Sequence, residues 1–280
     1  MIAQLGTGLM GAGFARAFLK RGESVQVWNR TAERAKPLEA DGARAFADVR
    51  AAVRGADRIH ITLKDDETVD DVLEQIAGAI EPGAMVFDHT TTAPTPTAER
   101  YARMAKAGIA FAHVPMFMGP KNALESTGVM LVSGPQERDE RVRPIIEPMT
   151  GKLVYVGAGD ERAAAFKLFG NMMLVFIVSG LADVFTFAKS LGISPVDAQA
   201  LFDSFKPTGA IDIRGKNMAH GDYTAQWELS MARKDVRLML EEAQLHGAHL
   251  SVLPAIADFF DRGIAAGHGA EDVGAVAALA

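Results

Sequence analysis

Lys167 and Asn171 stand four residues apart in a stretch that reads AAAFKLFGNMMLVFIVSGLA. At that spacing on a helix two side chains project from one face, one turn apart, so an ammonium and an amide can converge on a single small molecule. A lone helical lysine is ordinarily a solvated surface group. Here Phe166, Leu168, Phe169, Met172, Met173, Leu174, Val175 and Phe176 leave almost no polar face, which predicts a helix buried nearly all round. Burial disfavours the charged form of a lysine and brings its pKa down toward working pH, as a group that gives up and takes back a proton requires. Gly170, between the two polar residues, costs roughly 1 kcal/mol against alanine in a helix interior, a cost expected where something must approach the backbone closely.

The elements that position this pair follow from the chain on either side. A helix from Arg162 to Leu191 would be about 45 Å long. That is too long for one small core, so it is expected also to bury surface against a second subunit. Its uncharged run, Leu168 to Ala182, is interrupted by Asn171 and falls short of the roughly 20 residues a membrane span needs, and so reads as a core helix. Gly157-Ala158-Gly159-Asp160 forms the break before it, with Asp160 as the expected N-cap. Beyond it Pro195 to Phe205, Ser230 to His246 and Val252 to Gly263 carry helical spacing and no strand is apparent. Residues 161–280 are therefore expected to form an all-α domain for substrate and dimerisation.

Residues 1–160 read differently. Met1 to Leu5 is a short apolar strand, followed by Gly6, Gly8 and Gly11 in G-x-G-x-x-G spacing, with Leu9 and Met10 between the last two glycines, and then by a helical run through Arg21. In such a turn the first glycine permits the bend, the second lets a pyrophosphate reach the backbone and the third lets helix and strand pack closely. Glu23 to Trp28 reads as a second strand ending in Asn29, Arg30 and Thr31, where a ribose-recognising residue belongs. No acid stands there to accept from a 2′-hydroxyl; Arg30 offers a charged planar donor to a 2′-phosphate, so NADP(H) is the expected cofactor. Thr31 adds a hydroxyl and could cap a helix starting at Ala32. Arg58 to Leu63, Glu67 to Ile80, Ala84 to Phe87, Thr95 to Ala107 and Ile109 to Ala112 then alternate strand and helix. Val129 to Val132 and Leu153 to Val156 are read as further strands of the same sheet. The fold class is α/β: an N-terminal Rossmann-type doubly wound sheet over residues 1–160, followed by the all-α domain. Ligands of such sheets bind beyond the carboxyl ends of the strands, which brings in Leu63 and the Asp88-His89-Thr90-Thr91 turn.

Composition narrows the function classes. A net charge of −6 without a basic block argues against nucleic acid and against an anionic membrane surface as partners. The absence of cysteine removes disulfides, thiolate nucleophiles and Cys-bound metals. The seven histidines are scattered, and His246 and His249 lack an H-E-x-x-H context, so no metal is expected. The acidic run after Lys64 is a helix start with carboxylates near the positive dipole end. No G-x-S-x-G elbow is present. The N-terminus begins directly in a strand without the features of a secretory signal, so the expected compartment is the cytoplasm.

Taken together these motifs resemble the β-hydroxyacid dehydrogenase family, which includes 3-hydroxyisobutyrate dehydrogenases, tartronate semialdehyde reductases and glyoxylate and succinic semialdehyde reductases. LGTGLMGAG matches its glycine motif, WNRT resembles its NADP-preferring members, and Lys167 with Asn171 matches its K-x-x-x-N helix. The family's D-x-S-T motif reads Asp88-His89-Thr90-Thr91, which implies Thr91 at the cofactor. Its Lys-Asp-x-Arg-Leu signature reads Lys234-Asp235-Val236-Arg237-Leu238, which implies Lys234 closing over the cofactor. Two departures stand out. The substrate segment P-V-S-G-G reads Pro115-Met116-Phe117-Met118-Gly119-Pro120, with Phe117, Met118 and Gly119 as the substrate-facing residues; the serine hydroxyl is gone and Pro120 removes an N–H. Either a substrate carboxylate is bound differently or the substrate carries an apolar group there. The glycine usually found four residues before the lysine is Ala163.

The resemblance implies hydride transfer between a nicotinamide and a small aldehyde, keto or 3-hydroxy acid substrate, with Lys167 as proton donor or acceptor and Asn171 orienting it. An imine reductase is the alternative within enzymes, and a non-catalytic NADP-binding module the alternative outside them. A homodimer or homotetramer built on the helical half is expected.

Overall fold

The computed structural model describes residues 1–279. The chain divides into two compact units, Met1–Met172 and Met173–Ala280, and the division falls inside the long helix rather than before it.

In the first unit the short apolar runs become strands β1 (Ile2–Leu5), β2 (Val25–Trp28), β3 (Arg44–Phe46), β4 (Arg58–Ile61), β5 (Met85–Asp88) and β6 (Ala110–His113), in the order β3-β2-β1-β4-β5-β6 and all parallel. β1, β2 and β5 are buried at every position, because helices cover both faces of the sheet. Alternate residues divide between two cores: Ile2, Val27 and Phe87 pack with Phe14 and Phe18 on one face, and Leu5, Ile59, Ile61 and Val86 with Val69 and Ile76 on the other. The covering helices are α1 (Leu9–Lys20), the short α2 (Val49–Val53), α3 (Asp66–Ile76) and α4 (Pro94–Lys106). Asp65 caps α3 by accepting from the Thr68 N–H, and Asp66 and Glu67 occupy its first turn, as the acidic run implied.

Several sequence expectations need correction. β3 and α2 went unread; β3 is three residues long and only partly buried, too short for a periodic signal. The strands near 130 and 154 do not extend the large sheet. β8 (Val129–Val132) and β9 (Lys152–Tyr155) form a separate three-stranded sheet with β7 (Met116–Phe117), which lies antiparallel to β8. Pro115 supplies the reason, since it has no N–H to carry the β6 ladder on, while its carbonyl accepts from Leu131 at 2.9 Å. The helices α5 (Pro120–Glu125) and α6 (Gln136–Ile146) complete this part. Thr31 makes no cap bond, and only a short 3₁₀ turn follows it. Asp160 does not cap the long helix α7 (Arg162–Ser190); its carboxylate pairs with Arg138 at 2.6 Å. The hydroxyl of Ser133 accepts from the Ala163 N–H instead, at 3.1 Å.

The expectation that α7 is buried nearly all round also fails within one chain. Every residue from Met172 to Val178 is exposed, with Phe176 at 59% and Val178 at 66%. Apolar composition demands a cover and does not say which chain supplies it. The whole helix, unlike its uncharged run, is long and apolar enough by length and composition to cross a membrane.

The second unit is helical, with α8 (Pro195–Ser204), α9 (Gly209–Asp212), α10 (Arg214–Ala219), α11 (Leu229–Leu245) and α12 (Leu253–Gly263). Arg214 binds Asp272 at 2.7 Å, and that carboxylate also accepts from the N–H groups of Gln226, Trp227 and Gly274. Opposed by burial, but held down by Arg214 and these N–H groups, the Asp272 carboxyl titrates at about 2.

Candidate active site

The glycine turn after β1 has the geometry its spacing requires. Gly6 has φ +86°, and a Cβ there would lie 2.1 Å from the Thr62 carbonyl oxygen; a Cβ on Gly11 would lie 1.9 Å from the Gly6 oxygen. Gly8, which precedes α1, has nothing within 4 Å of where its Cβ would be, so its backbone is open to an approaching group at a helix N-terminus. Leu9 is 78% exposed beside it, and Met10 packs partly on the core. Two polar side chains hold the turn. The Gln4 amide, fully buried, donates to the Gly6 carbonyl and to Thr62 Oγ1, each at 3.1 Å. Asn29 at the end of β2 accepts from the Thr7 N–H at 3.1 Å and donates to the Thr31 carbonyl at 3.0 Å, so it ties the second strand to the turn.

A recess of about 590 Å³ opens along this turn, lined by Thr7, Gly8, Leu9, Arg16 and Arg34 among others. Arg30 and Arg34 are exposed and make no ion pair or side-chain hydrogen bond among the described residues. The sequence signal for Arg34 is its place four residues after Arg30 on the same segment. These features fit a nicotinamide dinucleotide, with an open backbone at Gly8 for the pyrophosphate and two uncommitted guanidiniums nearby.

At the other strand ends the structure sorts the four-residue turn into roles. Thr90 is structural: its N–H donates to Asp88 at 2.9 Å and its hydroxyl accepts from the Leu63 N–H at 3.0 Å, which joins the two loops. Thr91 is exposed and makes no hydrogen bond among the described residues, so its hydroxyl is available to a ligand. Asp88 is fully buried beside His113 at 3.3 Å and Arg100 at 3.9 Å. Burial pushes its pKa up, but the bonds from His113 and Thr90 outweigh that and hold it below the usual carboxylate value. Arg100, also buried, reaches Asp66 and Asp70 on α3. This network fixes the loop that carries Thr91.

Lys167 and Asn171 are brought together as their spacing implied: Nζ donates to Asn171 Oδ1 at 2.9 Å. The amide nitrogen of Asn171 is then the end left to donate. Lys167 is only 9% exposed and makes no ion pair among the described residues, and burial lowers its pKa. Phe117 stands over it, with its ring centroid 4.2 Å from Nζ, a cation–π contact. The same ring occupies the space above Gly170, where a Cβ would come within 2.3 Å of it, so the close approach expected at this glycine is that of an aromatic side chain. Met118 is partly buried, and the Gly119 N–H is engaged within its own turn by Asn122 Oδ1 at 2.9 Å. Lys234 lies in the second unit on α11, paired with Asp235 at 2.8 Å. No group of three or more His, Asp or Glu that could hold a metal ion occurs among the described residues.

The chain is similar to known proteins along nearly its whole length. A family model described as the NAD binding domain of 6-phosphogluconate dehydrogenase matches residues 1–157, and one described as NAD-binding of NADP-dependent 3-hydroxyisobutyrate dehydrogenase matches residues 161–280. A probable 3-hydroxyisobutyrate dehydrogenase of Mycobacterium tuberculosis is 28% identical, over 98% of this chain and 96% of its own. An NAD-dependent L-serine dehydrogenase of Pseudomonas aeruginosa is 27% identical, over 87% and 85%. The structure of an imine reductase from Myxococcus stipitatus in complex with NADP+ superimposes with a TM-score of 0.92 at 22% identity, covering 99% of this chain and 98% of the other, a likeness of fold.

Proposed function

The chain belongs to the β-hydroxyacid dehydrogenase family, and from that premise we propose that it is an NADP(H)-dependent reductase and dehydrogenase of small carbonyl and hydroxy compounds in which Lys167 moves the proton. The observation that carries the reading is the pair Lys167 and Asn171, desolvated, hydrogen-bonded to each other and, among the described residues, free of any carboxylate that would fix the lysine as a structural cation. When bound, the nicotinamide supplies or accepts the hydride. In the reducing direction the Lys167 ammonium donates to the oxygen on which negative charge develops, and the Asn171 amide N–H holds that oxygen in line. In the oxidising direction the neutral amine, made accessible by burial, takes the proton back.

Relatives named for 3-hydroxyisobutyrate and for L-serine, both hydroxy acids, support oxidation of a hydroxyl or reduction of the corresponding aldehyde or keto group as the reaction class, without fixing an acid group on the substrate of this chain. NADP(H) is favoured by Arg30 and Arg34 on the segment where NAD-specific sites carry an acid. A C=N substrate is the second reading, suggested by the imine reductase fold likeness. Lys167 disfavours it, because an iminium cation would have to sit beside an ammonium with no neighbouring carboxylate to balance the two charges. A module that binds cofactor without turnover would have no use for the desolvated lysine and asparagine.

We also propose that α7 is covered by a second copy of the chain in a dimer or tetramer. The exposed apolar residues from Met172 to Val178 support this reading, since a contact about a two-fold axis would take the same surface of both copies out of water.

The test is a panel of aldehydes, semialdehydes, keto acids and cyclic imines offered with NADPH and followed by loss of the reduced nicotinamide absorbance. Turnover of carbonyl members supports the reading; turnover of imines alone would overturn it.

A further inference from the structure

We infer that Phe117 sets the substrate preference, closing the place beside the reacting carbon to an acid group and offering it to an uncharged, apolar one. The inference rests on Lys167 being the group that meets the reacting oxygen. A hydrogen-bonded oxygen lies about 3 Å from its donor, and the Phe117 ring centre is 4.2 Å from Lys167 Nζ. A carbonyl that receives the proton on the side of the ammonium facing this ring has one of its substituents against the ring.

The ring is not free to leave. Phe117 is paired with Val129 in the antiparallel ladder, and its side chain rests on Gly170, the one position of that helical turn without a side chain to displace it. Gly170 and Phe117 thus form one device: the glycine makes the space and the ring fills it.

A carboxylate in the same place would need several donors, and of the backbone N–H groups from Phe117 to Pro120 only that of Met118 is left without a hydrogen bond among the described residues. The Pro115 carbonyl accepts from Leu131, which makes that pair a hydrogen-bonded one; by the alternation of an antiparallel ladder the next such pair is Phe117 with Val129, so the Phe117 N–H belongs to the ladder. The Gly119 N–H is taken by Asn122 Oδ1 at 2.9 Å, and Pro120 has no N–H. The Asn122 amide donates to Thr127 Oγ1 at 2.9 Å. Lys121 has its side chain 83% exposed and its ammonium 3.9 Å from Glu125. The remaining cation, Lys167, is committed to the reacting oxygen, and a carboxylate that captured it would occupy the proton donor rather than be reduced. An aldehyde or ketone with an alkyl or aryl flank meets none of these costs and gains contact with the ring.

The test uses the full chain with NADPH and two pairs matched in heavy-atom outline, 4-methylpentanal against 4-oxobutanoate and 2-methylpentan-3-one against 2-oxobutanoate, in which a carboxylate replaces an isopropyl end. The expected result is a kcat/KM about 10- to 100-fold higher for the uncharged member of each pair, and a Phe117→Ser variant in which that ratio falls at least about tenfold. A wild-type preference for the acids overturns the inference, whether or not the variant folds, as does an unchanged ratio in Phe117→Ser. If the acids win while Lys167→Met abolishes their reduction, the reductase reading stands and only the role of Phe117 falls. If a protein that binds NADPH reduces none of the four, the reductase reading falls and takes this inference with it.

Discussion

His60 donates its Nδ1 hydrogen to Nε2 of His89 across 2.9 Å in the interior of the first unit, and both tautomers follow from that contact. His89 Nδ1 faces the Val114 carbonyl at 2.8 Å; a carbonyl only accepts, so the proton is on Nδ1 and Nε2 must accept. His60 Nε2 is then a bare, buried nitrogen without a partner among the described residues. His60 stacks on Phe87 with Phe18 tilted against it, and burial pushes His60 well below its usual value and His89 down to about 4.

Acid sensitivity follows. With folded values below the unfolded 6.5, the unfolded chain binds more protons between the two, so stability is full above about pH 6.5 and is lost as the pH falls toward 4. His89 alone accounts for roughly 3 kcal/mol across that window. Urea midpoints at about pH 8 and about pH 5 should differ accordingly; equal midpoints would mean that the folded state accommodates both protons.

Asp183 on α7 carries the start of α12. One oxygen accepts from the Ser251 N–H at 2.7 Å, the other from Val252 and Leu253 at 2.8 and 3.0 Å. Asp183→Ala should destabilise the protein by about 1–3 kcal/mol, since three part-buried N–H groups at the helix start lose a charged acceptor together. Asp183→Asn, which retains one accepting oxygen, should fall between. A denaturant midpoint unchanged in the alanine variant would contradict this.

Cofactor choice is expected to rest on Arg30, with Arg34 one turn away. One charge-assisted pair to a 2′-phosphate corresponds to a roughly 10- to 150-fold preference for NADPH over NADH in binding. Arg30→Ala should lose most of that preference and leave NADH affinity unchanged. Equal dissociation constants in the wild type would remove the assignment.

Light scattering at micromolar concentration should give the mass of a dimer or a tetramer, because the residues from Met172 to Val178 are otherwise left in water. A monomer mass would show that this ridge has some other cover. A charge placed there, such as Val175→Lys, should shift the mass toward the monomer.

How much of this was legible in the sequence depended on whether the signal was local. Gly6 and Gly11 announce a turn because the positive φ of Gly6 and the approach of Gly11 to the Gly6 carbonyl are local constraints, and Lys167 with Asn171 announces a site because two polar groups interrupt an apolar helix. Gly170 signalled a close approach but not by what, since Phe117 is brought to it only by the small sheet. That sheet was misread as part of the large one because β8 and β9 have the apolar pattern of its strands, and only Pro115, which ends the β6 ladder, separates them. The buried network of Asp88, Arg100 and His113 gave no sign at all; its members are ordinary surface residue types whose partners come from distant strands and helices. The caps failed for the same reason: Ser133, far off in sequence, caps the helix for which the nearby Asp160 was expected.

The central claim, that Lys167 moves the proton, is tested most directly by turnover and cofactor titration on one preparation of Lys167→Met. Methionine keeps the bulk of the stem and removes the charge and the proton, so packing against Phe117 should survive. The expected result is a dissociation constant for NADPH close to that of the wild type with kcat lowered by about 10²–10⁴-fold. A variant that binds NADPH and keeps more than about a tenth of the wild-type kcat would contradict the claim, since losing a general acid costs at least about 10²-fold.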